Sequence, residues 1–337
     1  GVSRPLDGDA NGTAEWDMGA YEFGSVTDGR IGGADRFATS VQVSADHFIS
    51  ADTAVLVTGR VFADGLSASG LAGAYHAPIL LTGRSSLPPV VAAELLRLGV
   101  SHVIICGGEN AVTRSVANAV AALGDIEVER IGGADRYETS TMIGDEITAV
   151  TDGESGLLFI ARGDTFPDAL AVSPIAWAHS APVLLVRPDQ LPRYTVDYLF
   201  RVTAGTKGII VGGDAAVSLG VQGKLSALAG PTFQRISGFD RYDTSAKVAY
   251  WADDEGLAGF GVTGVATGEN FADALCAGAG LGSSGGVLLL TPRHTAAPST
   301  LAAIRSYGPS ISALQIFGSG SAIDERVATQ LNAARTP

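Results

Sequence analysis

The sequence is poor in cysteine, lysine and long apolar runs. Its 337 residues include two cysteines, Cys106 and Cys276, which cannot form a disulfide framework or a thiolate metal cluster, and we expect both to be buried as small hydrophobic residues. No apolar run approaches the roughly 18 residues of a membrane-spanning helix, so a membrane span is not expected. The net charge of −13 repels polyanions, which argues against nucleic-acid binding and means that any anion site must be local.

Glycine and aliphatic residues are abundant instead. Hydrophobic residues make up 46% of the chain and charged residues 17%, a balance that can bury large cores and favours compact folding. The 44 glycines among short Val, Ile and Leu runs indicate many tight turns between strands and helices. Arginine accounts for 19 of the 22 basic residues, which fits forked recognition of carboxylates or phosphates and, more simply, a coding bias.

Four phrases recur three times in the same order. The opening phrase, R-I-x-G-x-D-R-[FY]-x-T-S, occupies residues 30–40, 130–140 and 235–245. The middle phrase, F-x-D-[AG]-L, occupies residues 62–66, 166–170 and 271–275. An apolar strand follows at residues 78–82, 182–186 and 286–290, and a closing strand that runs into small residues follows at residues 102–108, 208–213 and 314–319. The chain is therefore a tandem array of three copies of about a hundred residues each.

The recurring apolar runs are continuous rather than alternating, which is typical of parallel strands covered by helices on both faces. Each copy is predicted as β-α-β-α-β-α-β-α. We therefore expect three tandem Rossmann-like or flavodoxin-like α/β modules with parallel sheets in a pseudo-threefold arrangement, although these patterns do not fix the strand order. The predicted repeats are residues 29–127, 128–232 and 233–334, preceded by a terminal segment and linker at residues 1–28.

Two aspartates and one arginine of each copy follow predicted strands directly, at the carboxyl edge where open α/β sheets bind ligands. The residues are Asp35, Arg36 and Asp64 in the first copy, Asp135, Arg136 and Asp168 in the second, and Asp240, Arg241 and Asp273 in the third. Glycine amides and a helix start beside them could hold an anion. For the aspartates, helix capping and ion pairing are the favoured interpretation, whereas for the arginines binding and structural roles are evenly balanced.

A second set of arginines follows the third strand of each copy. If these residues face the same sheet edge, each module gathers two guanidinium groups that could hold phosphates or uronate carboxylates of a polymer despite the acidic average. The alternative is that they are solvated turn residues. The set consists of Arg84, Arg187 and Arg293.

Evidence for catalysis is sparse. The five histidines do not recur together with a serine or cysteine, and no H-E-x-x-H phrase occurs. The opening phrase also lacks the G-x-G-x-x-G spacing of a dinucleotide site. We therefore expect no catalytic residue and no organic cofactor.

The ordered phrases resemble those of the type 2 cell-wall-binding repeat family, over residues 29–334. In that family, three repeats form a trimer of Rossmann-like modules that attaches surface proteins non-covalently to anionic wall polymers. The resemblance implies a non-catalytic, extracellular array at the cell wall, whose partner is an anionic wall polymer or peptidoglycan and whose contacts lie around Arg36, Arg136 and Arg241. Two alternatives stay open: an amidase or amidase modifier acting on peptidoglycan, and a structural spacer in a surface layer.

The third copy departs from the family pattern. Ser237 and Phe239 stand where the first two copies have glycine and alanine, and the closing loop is Gly-Ser-Gly at residues 318–320. The three sites therefore need not be equal.

The first residues lie outside the repeats. They resemble the closing segment of secreted right-handed β-helix domains and lack the features of a signal peptide, so we expect an upstream domain of the same polypeptide. Asp7, Asp9 and Asn11 have the opening spacing of a calcium loop. Because Met18 stands where such a loop needs a bidentate glutamate, a plain Asp/Gly turn is the favoured interpretation of this weak metal candidate.

Overall fold

The computed structural model of the chain describes residues 28–151, 153 and 155–336. The segment that resembles the end of a β-helix lies outside the described residues, and so do the candidate calcium ligands Asp7, Asp9 and Asn11. Within the part of the chain that is described, no helix combines the length and apolarity needed to cross a bilayer.

Strands and helices alternate along each repeat as predicted. Repeat 1 contains β1 (Gly29–Ile31), α1 (Arg36–His47), β2 (Thr53–Thr58), α2 (Ala68–Ala74), β3 (Ile79–Thr82), α3 (Pro89–Leu98), β4 (His102–Cys106) and α4 (Arg114–Ala121). Repeat 2 contains β5 (Glu127–Ile131), α5 (Arg136–Val150), β6 (Leu157–Arg162), α6 (Pro167–Ala171), α7 (Ser173–Ala178), β7 (Val183–Val186), α8 (Arg193–Leu199), β8 (Lys207–Val211) and α9 (Leu219–Ser226). Repeat 3 contains β9 (Thr232–Ile236), α10 (Arg241–Asp254), β10 (Val262–Thr267), α11 (Ala272–Ser283), β11 (Val287–Thr291), α12 (Pro298–Tyr307), β12 (Ala313–Phe317) and α13 (Glu325–Arg335). Short 3₁₀ turns at Gly65–Ser67 and Gly308–Ser310 complete the elements.

The strands form three four-stranded parallel sheets, which confirms the predicted fold class. Their orders are β3-β2-β4-β5, β7-β6-β8-β9 and β11-β10-β12-β1. The opening strand of each repeat thus completes the sheet of the preceding repeat. Strand β1 completes the sheet of the third repeat, with Gly29 opposite Gln315 and Ile31 opposite Phe317, so the three modules close into a ring.

Sheets and sequence repeats are therefore offset by one strand. The first arginine of each opening phrase helps to hold the opening strand on the sheet of the preceding repeat. Its Nη1 donates to the carbonyl oxygen of the glycine that directly follows the neighbouring strand of that sheet. The bonds are Arg30 to Gly318 at 2.9 Å, Arg130 to Gly107 at 2.7 Å and Arg235 to Gly212 at 2.6 Å. The predicted boundaries at residues 127/128 and 232/233 lie within β5 and β9. That each repeat is a separate folding unit therefore stays a prediction.

Helices α2, α7 and α11 pack against one another at the centre of the ring, and one apolar core runs through all three repeats. Leu71, Ile175 and Leu281 belong to this core and are fully buried. The central helices approach closely because they are rich in small residues. At Gly73, a Cβ atom would lie 1.8 Å from the carbonyl oxygen of Trp177, so only glycine permits this contact.

Candidate functional site

The predicted site residues meet at the seams between repeats. We call these seam 1/2, seam 2/3 and seam 3/1 after the repeats that form them. At each seam, the aspartate of one middle phrase faces the arginine of the next opening phrase. The facing pairs are Asp64–Arg136, Asp168–Arg241 and Asp273–Arg36. The two sequence phrases that recur most clearly therefore form one composite site, built from neighbouring repeats.

The first aspartate of each opening phrase caps the helix that follows it. Its side chain accepts hydrogen bonds from amides of the first helical turn, while its own backbone is extended, as in other N-cap residues. The caps are Asp35 for α1, Asp135 for α5 and Asp240 for α10, with bonds of 2.8 to 3.0 Å. These three carboxylates are thus committed to helix stability, to which such a cap contributes about 1 kcal/mol.

The arginine after each cap is held at the seam by two contacts. Nη1 donates to the carbonyl oxygen that follows the second strand of its own repeat, and the guanidinium lies over a phenylalanine of the preceding repeat. The carbonyl partners of Arg36, Arg136 and Arg241 are Gly59, Gly163 and Gly268, at 2.6 Å for the last two. The ring partners are Phe271, Phe62 and Phe166, with ring centroids 5.7, 5.7 and 5.9 Å from the guanidinium carbon.

These arginines also stay open to solvent. Arg36 and Arg136 are half-buried and Arg241 is exposed. Among the described residues, the glycine carbonyl is the sole hydrogen-bond acceptor for each of these guanidinium groups. Since a guanidinium carries five N–H donors in a planar fork, Nε and Nη2 stay available to an anionic or hydroxyl ligand.

The phenylalanines of the middle phrases converge on the pseudo-threefold axis. Ring centroids are 5.5 Å apart for Phe62 and Phe166, 5.9 Å for Phe62 and Phe271, and 6.2 Å for Phe166 and Phe271. Tilted aromatic pairs at such distances are mutually attractive. The trio fixes the three arginines around one axis, a role that the sequence pattern did not reveal.

The middle-phrase aspartates lie deeper in the seams. Burial raises the pKa of Asp64, Asp168 and Asp273, and the facing arginine counteracts this shift only in part. The pKa of Asp168 rises to about 6. The hydroxyl groups of Thr139 and Thr39, both from the neighbouring repeat, also counteract the rise in the pKa of Asp64 and Asp273, respectively. These carboxylates therefore lie between neighbouring repeats, facing an arginine of the next one.

A glycine with positive φ leaves room for each of these carboxylates. A Cβ atom on Gly107, Gly212 or Gly318 would lie 2.5, 2.4 or 2.5 Å from Oδ2 of the aspartate in its own repeat. Their φ values of 109°, 100° and 98° are also ones that other residues rarely adopt. Glycine recurs in the closing phrase for two reasons: its backbone has a positive φ, and a side chain there would clash with the aspartate.

The second arginine set occupies unequal places. Arg293 lines the cleft at seam 3/1 together with Arg36. Arg84 donates through Nε to the Asn110 carbonyl at 2.9 Å, beside the cleft at seam 1/2. Arg187 stacks over Tyr137, 4.5 Å from the ring centroid, and lies 3.9 Å from Asp135. Arg187 therefore lies against the opening phrase of its own repeat.

At seam 2/3 a residue that was not predicted supplies the second guanidinium. Arg162, the last residue of β6, pairs with Asp164 and donates through Nη1 to the Ala215 carbonyl at 2.9 Å. Its charge also acts on Asp168. Each seam thus gathers at least two guanidinium groups, although they come from different sequence positions. A comparison of the last residue of the second strand in each repeat could have found Arg162, because the other two repeats have threonine there.

Open clefts lie at two of the seams. The cleft at seam 3/1 has a volume of about 440 Å³ and is lined by Arg36, Arg293, Asp35, Glu269 and Asp273. The cleft at seam 1/2 has a volume of about 290 Å³, and its lining includes the equivalent residues Asp64, Asp135 and Arg136. Both signs of charge are present in each cleft. Such a lining can hydrogen-bond hydroxyl groups as well as anionic groups.

One histidine lies beside a serine in the interior of the protein. Buried His47 contacts Ser284 Oγ at 3.2 Å and Gln315 Oε1 at 3.1 Å, both in the third repeat. Ser284 has G-x-S-x-G spacing within residues 282–286, but it follows a helix and precedes a strand, the reverse of the order in a nucleophile elbow. Among the described residues, no three His, Cys, Asp or Glu side chains are grouped closely enough to hold a metal ion.

Comparison with known proteins identifies the domain family to which the repeats correspond. Residues 30–117, 130–222 and 235–328 each match cell wall binding domain 2 (CWB2). The chain is 33% identical over 219 residues to N-acetylmuramoyl-L-alanine amidase LytC of Bacillus subtilis, an alignment that covers 65% of this chain and 42% of that protein. It is 30% identical over 224 residues to the amidase enhancer of the same organism, covering 66% of this chain and 29% of that protein. The aligned part is therefore less than half of either relative.

Solved structures share the whole arrangement. Cwp6 from Clostridium difficile matches with a TM-score of 0.82 and 27% identity, over 98% of this chain and 51% of that one. Cwp8 from the same organism matches with a TM-score of 0.78 and 28% identity, over 91% and 51% of the two chains. The three matched segments, in the order and fold described, show that the chain belongs to the cell wall binding domain 2 family and carries three copies of that domain.

Proposed function

We propose that this array anchors a secreted surface protein non-covalently to the cell wall, by holding an anionic wall polymer or peptidoglycan in the clefts at its seams. The observation that carries the proposal is the arginine at each seam. It is fixed by one carbonyl and one aromatic ring, and the described part of the chain supplies no acceptor for its Nε and Nη2, while the side chain is at least partly exposed. A pre-positioned donor set loses little conformational entropy on binding.

Repetition of the site supports a long, repetitive ligand. Three weak sites in one rigid ring bind such a polymer with avidity, since the second and third contacts are effectively intramolecular. Family membership agrees with attachment to the wall. An extracellular location at the surface of a Gram-positive bacterium follows as part of the proposal.

The charge of the clefts makes the proposal specific. The chain is acidic overall, at −13, so attraction of an anionic polymer has to come from local guanidinium groups. Because carboxylates such as Glu269 lie beside them, we expect hydroxyl groups of the polymer to be bound as well. Exposed charge contacts weaken with salt, since the screening length falls to roughly 3 Å at 1 M salt.

A catalytic role finds less support. The names of the two Bacillus relatives refer to amidase chemistry, but this chain aligns with only 42% and 29% of their lengths. We infer that the shared part is the wall-binding part and that the activity lies elsewhere in those proteins. Incubation with a peptidoglycan suspension tests this, and a fall in turbidity with the intact array would contradict the inference.

Sedimentation with purified Bacillus subtilis walls tests the binding proposal. The array should sediment with walls at low salt, be released at high salt, and stay in solution with walls from which secondary polymers have been chemically removed. Equal sedimentation with stripped walls would favour peptidoglycan as the ligand. An array that stays in solution with both wall preparations would overturn the proposal.

A charge-matched pair of variants tests the arginines. The triple variant Arg36→Gln, Arg136→Gln, Arg241→Gln should lose at least tenfold in wall affinity, a change of about 1.4 kcal/mol. The control variant Arg193→Gln, Lys224→Gln, Arg305→Gln removes the same charge from exposed positions on outer helices and should bind normally. Circular dichroism of both variants separates loss of binding from loss of fold. Equal binding by the two variants would show that the seam arginines are purely structural.

A further inference from the structure

The opening loop of the third repeat carries an aromatic ring that packs against nothing in its own core. The Phe239 side chain is fully exposed, whereas the other phenylalanines that the opening and middle phrases contribute are partly or fully buried. The residues at its position in the first two repeats are Ala34 and Ala134. Both alanines line the clefts at their seams, so Phe239 stands at the corresponding edge of seam 2/3.

The loop does not need this ring to fold. The caps that follow it have nearly the same backbone, with φ of −145° at Asp135 and −143° at Asp240. The Phe239 amide donates to Asp243 Oδ2 at 2.9 Å, and the Ala134 amide donates to the side chain of Glu138 in the same way. Since the loop has the same shape with either residue, the exposed phenyl ring does not stabilise the loop.

One charged group lies over the ring, and a second is close to it in sequence. Lys247 Nζ lies 5.4 Å from the ring centroid and also pairs with Asp243 at 3.2 Å. Exposed Arg241 is two residues away in sequence and reaches across the seam toward Asp168. A flat apolar surface beside fixed hydrogen-bonding groups is suited to a pyranose ring, whose C–H face packs on the aromatic while its hydroxyls bond to the charged side chains.

We infer that Phe239 stacks against a sugar ring of the wall polymer and makes seam 2/3 a glycan-specific site, unlike the alanine-edged clefts of the other seams. This inference rests on the proposed wall-binding function and adds the class of group that one seam recognises. The ligand sought is a hexopyranose unit within the polymer.

Substitution by the residue of the other repeats gives a direct test. Phe239→Ala should fold normally, because Ala34 and Ala134 already occupy the equivalent loops. Its affinity for purified Bacillus subtilis walls should fall about three- to tenfold, the range expected for loss of one aromatic stacking contact. Phe200→Ala serves as the matched control, since Phe200 is 64% exposed at the end of α8. That variant should bind as the unchanged protein does.

A gain-of-function variant tests the same idea at another seam. Ala134→Phe, placed in the Phe239→Ala background, should recover part of the lost affinity because it restores a ring at the edge of seam 1/2. Sedimentation velocity of each variant without walls monitors self-association. If Phe239→Ala abolishes association between copies and leaves wall affinity unchanged, the ring is a contact between proteins and the inference is wrong.

The remaining outcomes are equally decisive. Unchanged wall affinity of Phe239→Ala, or an equal loss in Phe200→Ala, overturns the stacking role while the proposed wall attachment stands. Failure of the unchanged protein to bind walls overturns both.

Discussion

Asp168 of the second repeat faces Arg241 of the third repeat, and burial nevertheless raises the pKa of Asp168 to about 6. Desolvation of the carboxylate therefore outweighs the attraction of the guanidinium at this seam. The same balance, with the same direction, holds for Asp64 and Asp273. The contacts between repeats are thus sensitive to pH.

Replacing Asp168 by asparagine should stabilise the protein, and this gain over the unchanged protein should be larger at pH 7.5 than at pH 4. A carboxyl whose pKa rises from 3.8 to about 6 on folding contributes stability below pH 3.8, and that contribution is lost as the pH rises through 6. Asparagine resembles the protonated form, so the gain should approach about 3 kcal/mol at pH 7.5, become small near pH 4 and vanish below pH 3.8. Thermal melts across this range measure the difference, and a gain that does not depend on pH would contradict the assignment.

Asp164 provides a control of opposite sign. Its hydrogen bond from Arg162 lowers its pKa, so its contribution to stability is present at neutral pH and disappears as the solution becomes acidic. Asp164→Asn should therefore lower the melting temperature at pH 7.5 and have little effect below pH 3. Parallel behaviour of the two variants would rule out a local electrostatic origin.

Gly73→Ala should destabilise the array strongly. The added Cβ would meet the backbone carbonyl of Trp177 at 1.8 Å, and helices α2 and α7 would have to separate at the centre of the ring. Overpacking of a core costs about 1 to 3 kcal/mol and more where backbone has to move. Gly124→Ala is the matched control, since no heavy atom lies within 4 Å of its added Cβ. Thermal melts showing equal stability of the two variants would mean that the central helices pack loosely.

Asp28 and Arg335 add a side-chain contact where the ring closes. Arg335 Nη1 donates to both carboxylate oxygens of Asp28 at 2.8 Å, and Asp28 Oδ1 also accepts the Leu314 amide at 2.7 Å. Arg335→Gln should loosen β1 from β12, and hydrogen exchange at residues 29–31 should become faster. Arg193→Gln removes an exposed arginine from α8 and should leave that exchange unchanged. Equal exchange rates in both variants would show that the strand pairing alone closes the ring.

Both cysteines should be inert in the folded protein. Cys106 and Cys276 are buried, and burial raises the pKa of each thiol far above its ordinary value. Because the thiolate is the reactive form, a thiol reagent at pH 8 should label neither residue until denaturant is added, after which it should label both. Rapid labelling of the native protein would indicate that the core opens more readily than its packing suggests.

Local sequence patterns were sufficient to predict the elements and the helix caps. Continuous apolar runs such as the one at Val183–Val186 become buried parallel strands, and Asp135 caps α5 as its position before the helix suggested. These features depend on residues that are near in sequence. They can therefore be predicted from sequence without knowing which repeats are in contact.

Features that depend on contacts between repeats could not be predicted in this way. Nothing in the opening phrase indicates that β5 pairs with β4 of the preceding repeat, because either neighbour would satisfy the same backbone groups. The phenylalanine trio and the replacement of Arg187 by Arg162 at seam 2/3 arise from the same long-range packing. The sequence pattern supplied candidate residues, and the contacts between repeats determine which of these candidates lie together.

The one-strand offset between sheets and repeats has a consequence for how such arrays evolve. A solenoid can gain or lose a unit at either end, because each unit contacts only its neighbours. Here the sheet of the third repeat takes its edge strand, β1, from the first repeat, so all sheets keep four strands only while the ring of repeats stays closed. A change in the number of repeats therefore has to preserve this closure, whereas a substitution inside a seam leaves it untouched.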